Sequence, residues 1–295
     1  MAERQAWDLA FDPATGRRLA PEEVQAGHML PSSRWPSFFS RVVARLQWDA
    51  TAIDLAPDTL AWPELADERR QRLTTLFAGF RVAEDAVAEE LTPFGEAANN
   101  SLVAWVLFLQ RRDEHRHALL FDRIVEEVLE LDGATPAERR DAARRHAPAG
   151  VVELFEERLP SLSAELAAGR VGLDVGIALY HMVLEGIVLS AGQRALLADL
   201  EDGALPGARE GVERVELDER WHIGFGLRCL IDAQPAPEVI DDVLAQAEEA
   251  AAAWGDAVPD DVRLSIVPMC RRRLSVAKLL DTHAVPSGVG ALRRR

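Results

Sequence analysis

Two Glu-x-x-His motifs on apolar helical stripes constrain this chain more than any other feature of its sequence. Glu114 and His117 interrupt one stripe, and Glu219 and His222 interrupt another. Because side chains three residues apart share a helix face, each Glu lies beside its own His. A carboxylate within an apolar stripe is costly to bury unless it is paired or bound to metal. Each motif therefore predicts a helix that carries ligands into a protein core.

Two further apolar stripes each carry a single glutamate. Glu84 follows Phe80 by four residues, and Glu185 follows Met182 by three. A four-helix bundle that binds two metal ions takes one Glu from each of two helices and Glu-x-x-His from each of the other two. The chain supplies these parts in alternation along its length. The pattern predicts six ligands for two metal ions: Glu84, Glu114, His117, Glu185, Glu219 and His222.

The competing interpretation is a set of unrelated carboxylates on helix surfaces. Two Glu-x-x-His matches alone are weak evidence in a sequence rich in Glu. Here both matches lie on apolar stripes, and each follows a separate stripe broken by its own Glu, which favours the metal site. His181, one turn before Glu185, and Cys229, on the last stripe, are interpreted as core residues.

Composition and chain breakers predict an all-α fold. Ala, Leu, Glu and Arg dominate the sequence and favour helix, and no long strand-like alternation is found. Proline and glycine divide the chain into helical segments, with a break expected at residues 92–95. The predicted segments are 36–49, 66–91, 96–131, one or two helices within 136–169, 172–200, 206–232, 237–254 and 259–283.

We expect one domain over residues 1–295, with a proline-containing arm over 1–35 and a loose tail over 284–295. The formal net charge of −16 argues against a nucleic-acid partner, because phosphate binding needs clustered cations. Two cysteines are too few for a disulfide scaffold. The N-terminus has no apolar signal-peptide segment, so a cytoplasmic location is expected.

The most apolar stretch of the chain, residues 171–192, is interpreted as a buried helix rather than a membrane span. It contains Asp174, His181 and Glu185. Ionisable groups are costly in lipid, whereas a helix inside a water-soluble bundle can be apolar on all sides. No integral membrane insertion is therefore expected.

Several short runs resemble the small, radical-generating subunit of ribonucleotide reductase. They are Arg-Asp-Glu-His-Arg-His at 112–117, Leu-Glu-Gly-Ile at 184–187 and Asp-Glu-Arg-Trp-His at 218–222. The stretch from Gln47 to Leu55 resembles the superfamily's Phe-Trp-x-Pro-x-x-Ile-Asp segment, with Gln and Ala in place of Phe and Pro. The resemblance covers residues 38–255 and implies a ferritin-like four-helix bundle with additional helices.

Four departures indicate a particular branch of that superfamily. The first ligand is Glu84 where most tyrosyl-radical subunits have Asp, and Phe121 stands where they have the radical Tyr. The chain ends in three arginines without the tail Tyr of those subunits. Tyr180, the single tyrosine, lies five residues before Glu185, and Val87 lies three after Glu84. These offsets resemble those of the ribonucleotide reductase small-subunit-like ligand-binding oxidases.

The resemblance implies a manganese/iron centre, with two irons as the alternative. It implies that oxygen is activated there to oxidise an unreactive C–H bond, and that a long-chain fatty acid or similar apolar ligand binds nearby. It also implies an ether cross-link between the Val87 β-carbon and the Tyr180 oxygen, and a homodimer. The manganese position would take Glu84, Glu114 and His117, and the iron position would take Glu185, Glu219 and His222, with Glu114 bridging.

By the same resemblance, Asp218 links His117 to Trp48, as an outer support of the ligand or as an electron route. Helix geometry gives one check on the cross-link. Five residues turn an ideal α-helix by about 500°, so Tyr180 and Glu185 would not share a face. A π turn, from residue i to i+5, would bring them together. We therefore predict irregular helix between these two residues.

Other functions stay open at this stage. A manganese/iron reductase small subunit also has Glu as its first ligand and Phe at the radical position, but it needs an electron path to a large subunit. A non-catalytic carrier would store a fatty acid in the cavity. Metal storage in a ferritin-like bundle would leave Val87 and Tyr180 without a role.

Overall fold

The computed structural model describes residues 11–12, 17–18, 35–277 and 279–280. Phe11–Asp12 (β1) and Arg17–Arg18 (β2) pair as a short antiparallel ribbon. The α-helices of the described chain are α1 (Trp35–Arg45), α2 (Ala56–Ala61), α3 (Asp67–Glu90), α4 (Thr92–Glu96), α5 (Ser101–Arg123), α6 (Pro136–Arg144), α7 (Ala149–Glu153), α8 (Leu159–Ala167), α9 (Leu173–Ile177), α10 (Ser190–Asp199), α11 (Pro206–Ala233), α12 (Pro237–Ala251) and α13 (Asp260–Val276).

Several helices continue into segments wound more loosely or more tightly than an α-helix. The π-helical segments are Ile124–Val128 after α5, Leu154–Arg158 between α7 and α8, and Ala178–Leu189 between α9 and α10. The 3₁₀ turns are Ala50–Ala52, Trp62–Glu64 and Gly255–Ala257. Because α9, the third π segment and α10 are continuous, they form one 27-residue helical run, Leu173–Asp199.

A four-helix bundle forms the centre of the molecule. Helix α3 packs along α5, and the π segment of the run Leu173–Asp199 packs against α11. Helix α10 contacts α3, and α11 contacts α5, so the four elements close around one core. These are the four segments whose apolar stripes carry the glutamates. The predicted all-α fold is confirmed.

Glycines let two bundle helices close around Trp254. A β-carbon on Gly79 of α3 would lie 2.4 Å from the indole, and one on Gly192 of α10 would lie 2.5 Å from it. The indole nitrogen donates a hydrogen bond of 2.7 Å to the carbonyl of Val188. The indole therefore fills the space left by the two glycines and is fixed at its polar end, as buried tryptophans require.

The start of α11, which carries the second Glu-x-x-His motif, is fixed from another part of the chain. The buried carboxylate of Asp58 in α2 accepts hydrogen bonds from the backbone nitrogens of Gly207 and Ala208, at 2.9 and 2.7 Å. The first N–H groups of a helix have no partner within it, and a negative charge there is stabilising. This contact fixes where α11 begins and therefore where its Glu-x-x-His motif lies along the bundle axis.

The structure corrects several predicted boundaries. The long helix ends at Glu90, close to the break expected at residues 92–95, but these residues themselves form the short helix α4, because Pro93 is compatible with the first turn of a helix. The helix predicted to start at residue 96 begins at Ser101, where the Asn100 side chain accepts from the Leu102 nitrogen. Helix α2 was not predicted. The tail over 284–295 and most of the arm over 1–35 lie outside the described residues, and the single domain stays a prediction.

Within the described residues, one helical run is long and apolar enough to cross a membrane. It is Leu173–Asp199, with a mean hydropathy of 1.6 over its most apolar window. However, 83% of that window is buried inside the fold. The run is thus enclosed by protein, as the interpretation of residues 171–192 as a core helix predicts.

Candidate metal centre

The structure brings all six predicted ligand residues together at the centre of the bundle. Each has a side chain that is at most 2% exposed. They form two groups that share Glu114, and within each group the candidate ligand atoms lie within 4.8 Å of one another. The groups are Glu84, Glu114, His117 and Glu219, and Glu114, Glu185 and His222.

Each group is arranged around one imidazole nitrogen. His117 Nδ1 lies 3.2 Å from Glu114 Oε2 and 3.5 Å from oxygens of both Glu84 and Glu219. His222 Nδ1 lies 3.1 Å from Glu114 Oε1, 3.4 Å from a Glu185 oxygen and 3.6 Å from Glu219 Oε2. Glu114 and Glu219 therefore both extend between the two imidazoles, whereas the sequence resemblance assigned a bridging position to Glu114 alone.

Most of the candidate ligand atoms have no hydrogen-bond partner, as expected for atoms that bind cations. Both oxygens of Glu84 and of Glu219, one oxygen each of Glu114 and Glu185, and Nδ1 of both histidines are buried without a hydrogen-bond partner. Buried polar atoms in proteins are normally hydrogen-bonded. Four carboxylates and two imidazoles that converge without hydrogen bonding to each other are a donor set suited to manganese or iron ions.

The protonation states of the metal-free cluster support the same interpretation. Burial raises the pKa of Glu84 to about 8, and burial together with Glu219 raises the pKa of Glu185 well above its ordinary value. Burial also opposes ionisation of Glu114, but the neighbouring His222 and His117 more than offset it and hold that pKa low. Without a cation, part of the cluster thus retains protons that bound metal ions would displace.

Asp218 lies directly behind His117. Its Oδ2 atom is 3.2 Å from His117 Nε2, and it accepts a hydrogen bond of 2.8 Å from Trp48 Nε1. Because Nε2 is occupied by this carboxylate, Nδ1 is the ring nitrogen that faces the other ligands. Carboxylates in this position fix the tautomer and orientation of a ligating imidazole. The contact expected from the sequence resemblance is present.

The sequence analysis missed a second carboxylate and the arginine that joins it to Asp218. Asp113 Oδ2 lies 3.9 Å from His222 Nε2. Asp113 is thus near His222 as Asp218 is near His117, but at a longer distance. Arg116 Nη2 lies 2.8 Å from both Asp113 and Asp218, and its guanidinium carbon is 4.9 Å from the Trp48 ring centre. The sequence did contain a signal for Asp113, because an Asp precedes the Glu in both motifs, which therefore read Asp-Glu-x-x-His.

The predicted cross-link residues are both fully buried. Val87 lies one turn after Glu84 on α3, and the Tyr180 hydroxyl donates a hydrogen bond of 2.9 Å to Glu114 Oε1. Tyr180 and Glu185 both lie in the π segment Ala178–Leu189, so the predicted irregular helix between them is confirmed. Phe121 is stacked on Phe80 with ring centres 4.9 Å apart.

A buried amide contacts both halves of the cluster and was given no role by the sequence analysis. Gln110 Nε2 donates to Glu185 Oε1 at 2.7 Å and to the Tyr180 hydroxyl at 3.1 Å. Its oxygen lies 3.1 Å from His181 Nε2. The available signal was its place on the α5 stripe one turn before Glu114, where a polar residue interrupts the apolar pattern.

Several solved structures with a similar fold are R2-like ligand-binding oxidases, whereas no protein-family model matches this chain. The R2-like ligand-binding oxidase from Sulfolobus acidocaldarius is 21% identical, covers 84% of this chain and 91% of its own, and has a TM-score of 0.68. A point variant of an R2-like ligand-binding oxidase with an aerobically reconstituted Mn/Fe cofactor is 20% identical, covers 82% of this chain and 92% of its own, and has a TM-score of 0.69. Another variant carries an Fe/Fe cofactor, with the same identity and coverage. The chain therefore has the ferritin-like fold of these oxidases.

Proposed function

We propose that this protein is a dinuclear metal-carboxylate oxidase with one manganese and one iron ion, two irons being the alternative. The observation that carries the proposal is the set of four carboxylates and two imidazoles with buried atoms that lack hydrogen-bond partners. The Mn/Fe and Fe/Fe cofactors of proteins with the same fold support it. Glu84, Glu114 and His117 would hold the manganese position, and Glu185, Glu219 and His222 the iron position.

When bound, the two metals would supply the two-electron reduction of O₂ needed to oxidise an unreactive C–H bond. This chain's own part is to bury the ligands completely and to hold His117 by its outer nitrogen, Nε2. Asp218 holds His117, with Trp48 and Arg116 as its other partners, and Asp113 lies behind His222. Enclosing the site in apolar side chains keeps water from competing with the substrate.

We also propose that the oxidation cross-links Val87 to Tyr180. The Val87 β-carbon loses a hydrogen, the Tyr180 hydroxyl loses its proton, and a C–O bond forms between them. The two electrons and two protons go to O₂. The full burial of both side chains and the hydrogen bond from Tyr180 to Glu114 support this step. A long-chain fatty acid or similar apolar ligand is proposed as the bound molecule, since proteins with this fold are named ligand-binding oxidases.

One experiment tests both parts of the proposal. Metal-free protein is loaded with Mn(II) and Fe(II) without oxygen, exposed to air, digested, and analysed by mass spectrometry. We expect two metal ions per chain, and a pair of peptides joined through Val87 and Tyr180 whose mass is lower by two hydrogens. Tyr180→Phe is the control that binds metals without joining the peptides. Metal binding without the joined peptides would overturn the cross-link, and no metal binding would overturn the centre.

A manganese/iron reductase small subunit is the second candidate. The continuous contact from Trp48 through Asp218 to His117 favours it, because such a chain could carry electrons. Nucleotide reduction with a large subunit would identify this function. A non-catalytic fatty-acid carrier would instead bind the lipid without consuming oxygen.

We propose a homodimer in which α5 of one copy packs antiparallel on α5 of the other. The exposed face of α5 carries Leu102, Trp105, Phe108, Arg112, His115 and Leu119. Trp105 and Phe108 are stacked on each other and are each 48% exposed. A two-fold axis near residue 110 would place Leu102 opposite Leu119, Trp105 opposite His115 and Phe108 opposite Arg112. Such self-complementarity is what an isologous interface requires, and a guanidinium over an aromatic ring is attractive.

A further inference from the structure

We propose that Gln110 and His181 are positioning residues that fix the direction of the Tyr180 O–H bond. In this arrangement the hydroxyl accepts a hydrogen bond from the Gln110 amide and donates one to Glu114. The inference deepens the proposed function, because the same hydroxyl would form the cross-link. It nevertheless concerns the metal-free protein as well, so it can be tested separately.

The neighbours of the amide group determine which way it points. One side of Gln110 faces three oxygen atoms, with Glu185 Oε1 at 2.7 Å, the Tyr180 hydroxyl at 3.1 Å and Glu114 Oε1 at 3.4 Å. The amide oxygen would be repelled there, so the NH₂ group takes that side. The amide oxygen must then face His181, whose Nε2 lies 3.1 Å away.

His181 can supply the hydrogen that the amide oxygen needs. Burial, helped by the nearby His222, lowers the pKa of His181 to about 3, so the ring is neutral and carries one N–H. The contact with the Gln110 oxygen places that hydrogen on Nε2. Gly226 of α11 lets the ring fit, because a β-carbon there would lie 2.3 Å from His181. The ring cannot move toward α11, so it holds the amide in one orientation.

The amide in turn decides where the Tyr180 proton goes. Gln110 already donates to Glu185 Oε1, and it donates to the phenol oxygen as well. Because the phenol oxygen accepts from the amide, the hydroxyl hydrogen points to its other partner, Glu114 Oε1 at 2.9 Å, which also lies 3.4 Å from Gln110 Nε2. The geometry thus points the Tyr180 O–H bond toward Glu114, which extends between both imidazoles.

The single tyrosine of the sequence allows a direct spectroscopic test. The intensity ratio of the tyrosine Raman doublet depends on whether the phenol donates a hydrogen bond, accepts one, or does both, and here it reports on Tyr180 alone. In metal-free wild-type protein we expect the intensity ratio of a phenol that both donates and accepts a hydrogen bond. Gln110→Met keeps the side-chain length but removes the amide, including its hydrogen bond to the Tyr180 hydroxyl. The intensity ratio should shift to that of a phenol that only donates.

The control and a second variant keep this test decisive. Gln193→Met removes another buried amide, on α10, and should leave the doublet unchanged. His181→Phe keeps a ring beside Gly226 but removes the N–H, and should shift the ratio in the same direction as Gln110→Met. If Gln110→Met fails to fold, His181→Phe provides the test instead. An unchanged doublet in a folded Gln110→Met or His181→Phe protein would overturn the proposal.

The metal-loaded protein gives a second readout. Gln110→Met should bind as many metal ions as the wild type, while the rate at which Val87 and Tyr180 become joined falls on the order of a hundredfold, as expected for a misoriented reacting group. An unchanged rate would contradict the positioning role. If the wild type forms no joined peptides, the proposed cross-link fails, but the Raman doublet still decides the orientation of the hydroxyl.

Discussion

Asp218 and Asp113 stand behind the two imidazoles, and Arg116 holds both carboxylates together. Asp218→Ala would free His117 Nε2 and leave the ring without its partner. We expect metal affinity at the His117 position to fall by roughly 10–100-fold, as is typical when an outer hydrogen bond to a ligating histidine is lost. Anaerobic Mn(II) titration measures this loss.

Asp113→Ala is the matched comparison, because Asp113 lies 3.9 Å from His222 Nε2, beyond hydrogen-bond distance, and its removal should lower affinity at the His117 position less than Asp218→Ala does. An equal loss at both positions in both variants would show that the carboxylates support the fold rather than individual ligands.

The raised pKa of Glu84 makes metal binding depend on pH. Because this pKa is about 8 in the metal-free protein, the carboxyl carries a proton at neutral pH that a metal ion must displace. Affinity for Mn(II) should therefore rise with pH until about 8 and level off above it, and calorimetry in buffers of different ionisation enthalpy should detect the released proton. Glu84→Gln should release fewer protons, and a pH-independent affinity would contradict the prediction.

The same group affects the stability of the metal-free protein. Its pKa is raised from 4.5, so the folded state holds the proton more tightly than the unfolded state. The stabilisation is complete below about pH 4.5 and is lost as the pH rises through about 8. The contribution of Glu84 alone should thus lower the metal-free Tm across this range, and thermal unfolding in Glu84→Gln, which cannot ionise there, isolates it.

The convergence of the four glutamates and two histidines could be predicted from the sequence, whereas the residues around them could not. A spacing of three residues on an apolar stripe is local information, and it was sufficient for both Glu-x-x-His motifs. The roles of Asp113, Arg116 and Gln110 depend on how α5 faces α11 and the π segment. No sequence spacing determines these distances between elements.

At the scale of a single element, the π segment Ala178–Leu189 sets the relation between Tyr180 and Glu185. Gly186 allows the wider turn, since a β-carbon there would lie 2.9 Å from the His181 carbonyl oxygen. Gly186→Ala should therefore destabilise the protein by about 1–3 kcal/mol, as overpacking does, and lower the yield of joined peptides. Denaturant unfolding and peptide mass analysis measure the two effects.

Gly95 of α4 is the matched control for this substitution. Its nearest neighbour for an added β-carbon is 3.9 Å away, which is an ordinary contact. Gly95→Ala should be neutral or stabilise the protein by up to about 1 kcal/mol, because Ala favours helix over Gly. Equal effects of both substitutions would mean that the π turn does not require Gly186.

At the scale of the whole molecule, the exposed face of α5 predicts how two copies meet. Leu102→Glu and Leu119→Lys should each weaken the dimer, because each places a charge against leucine across the two-fold axis. An equimolar mixture of the two variants should restore dimers, since one contact becomes Glu with Lys and the other stays Leu with Leu. Sedimentation equilibrium measures all three samples.

Leu264→Glu is the control, because Leu264 is exposed but lies on α13, away from α5. A monomeric wild type would overturn the α5 dimer. Failure of the mixture to recover dimers would show that α5 meets something other than its own antiparallel copy.

The architecture was largely predictable because long apolar stripes specify which helices must enclose a core. The connections were less predictable. Helix α4 forms where Pro93 suggested a break, and α2 supplies Asp58 to the start of α11. Such short helices are stabilised by contacts with distant parts of the chain, which no local pattern records.

The run Leu173–Asp199 also matters before the protein has folded. On the ribosome, its neighbours in the bundle are not yet in place, and an apolar stretch of this length resembles a segment that the insertion machinery would accept. A charged side chain near the middle of such a segment opposes insertion by about 3 kcal/mol. Glu185 lies near that position, so we expect its carboxylate also to disfavour membrane insertion of the nascent chain.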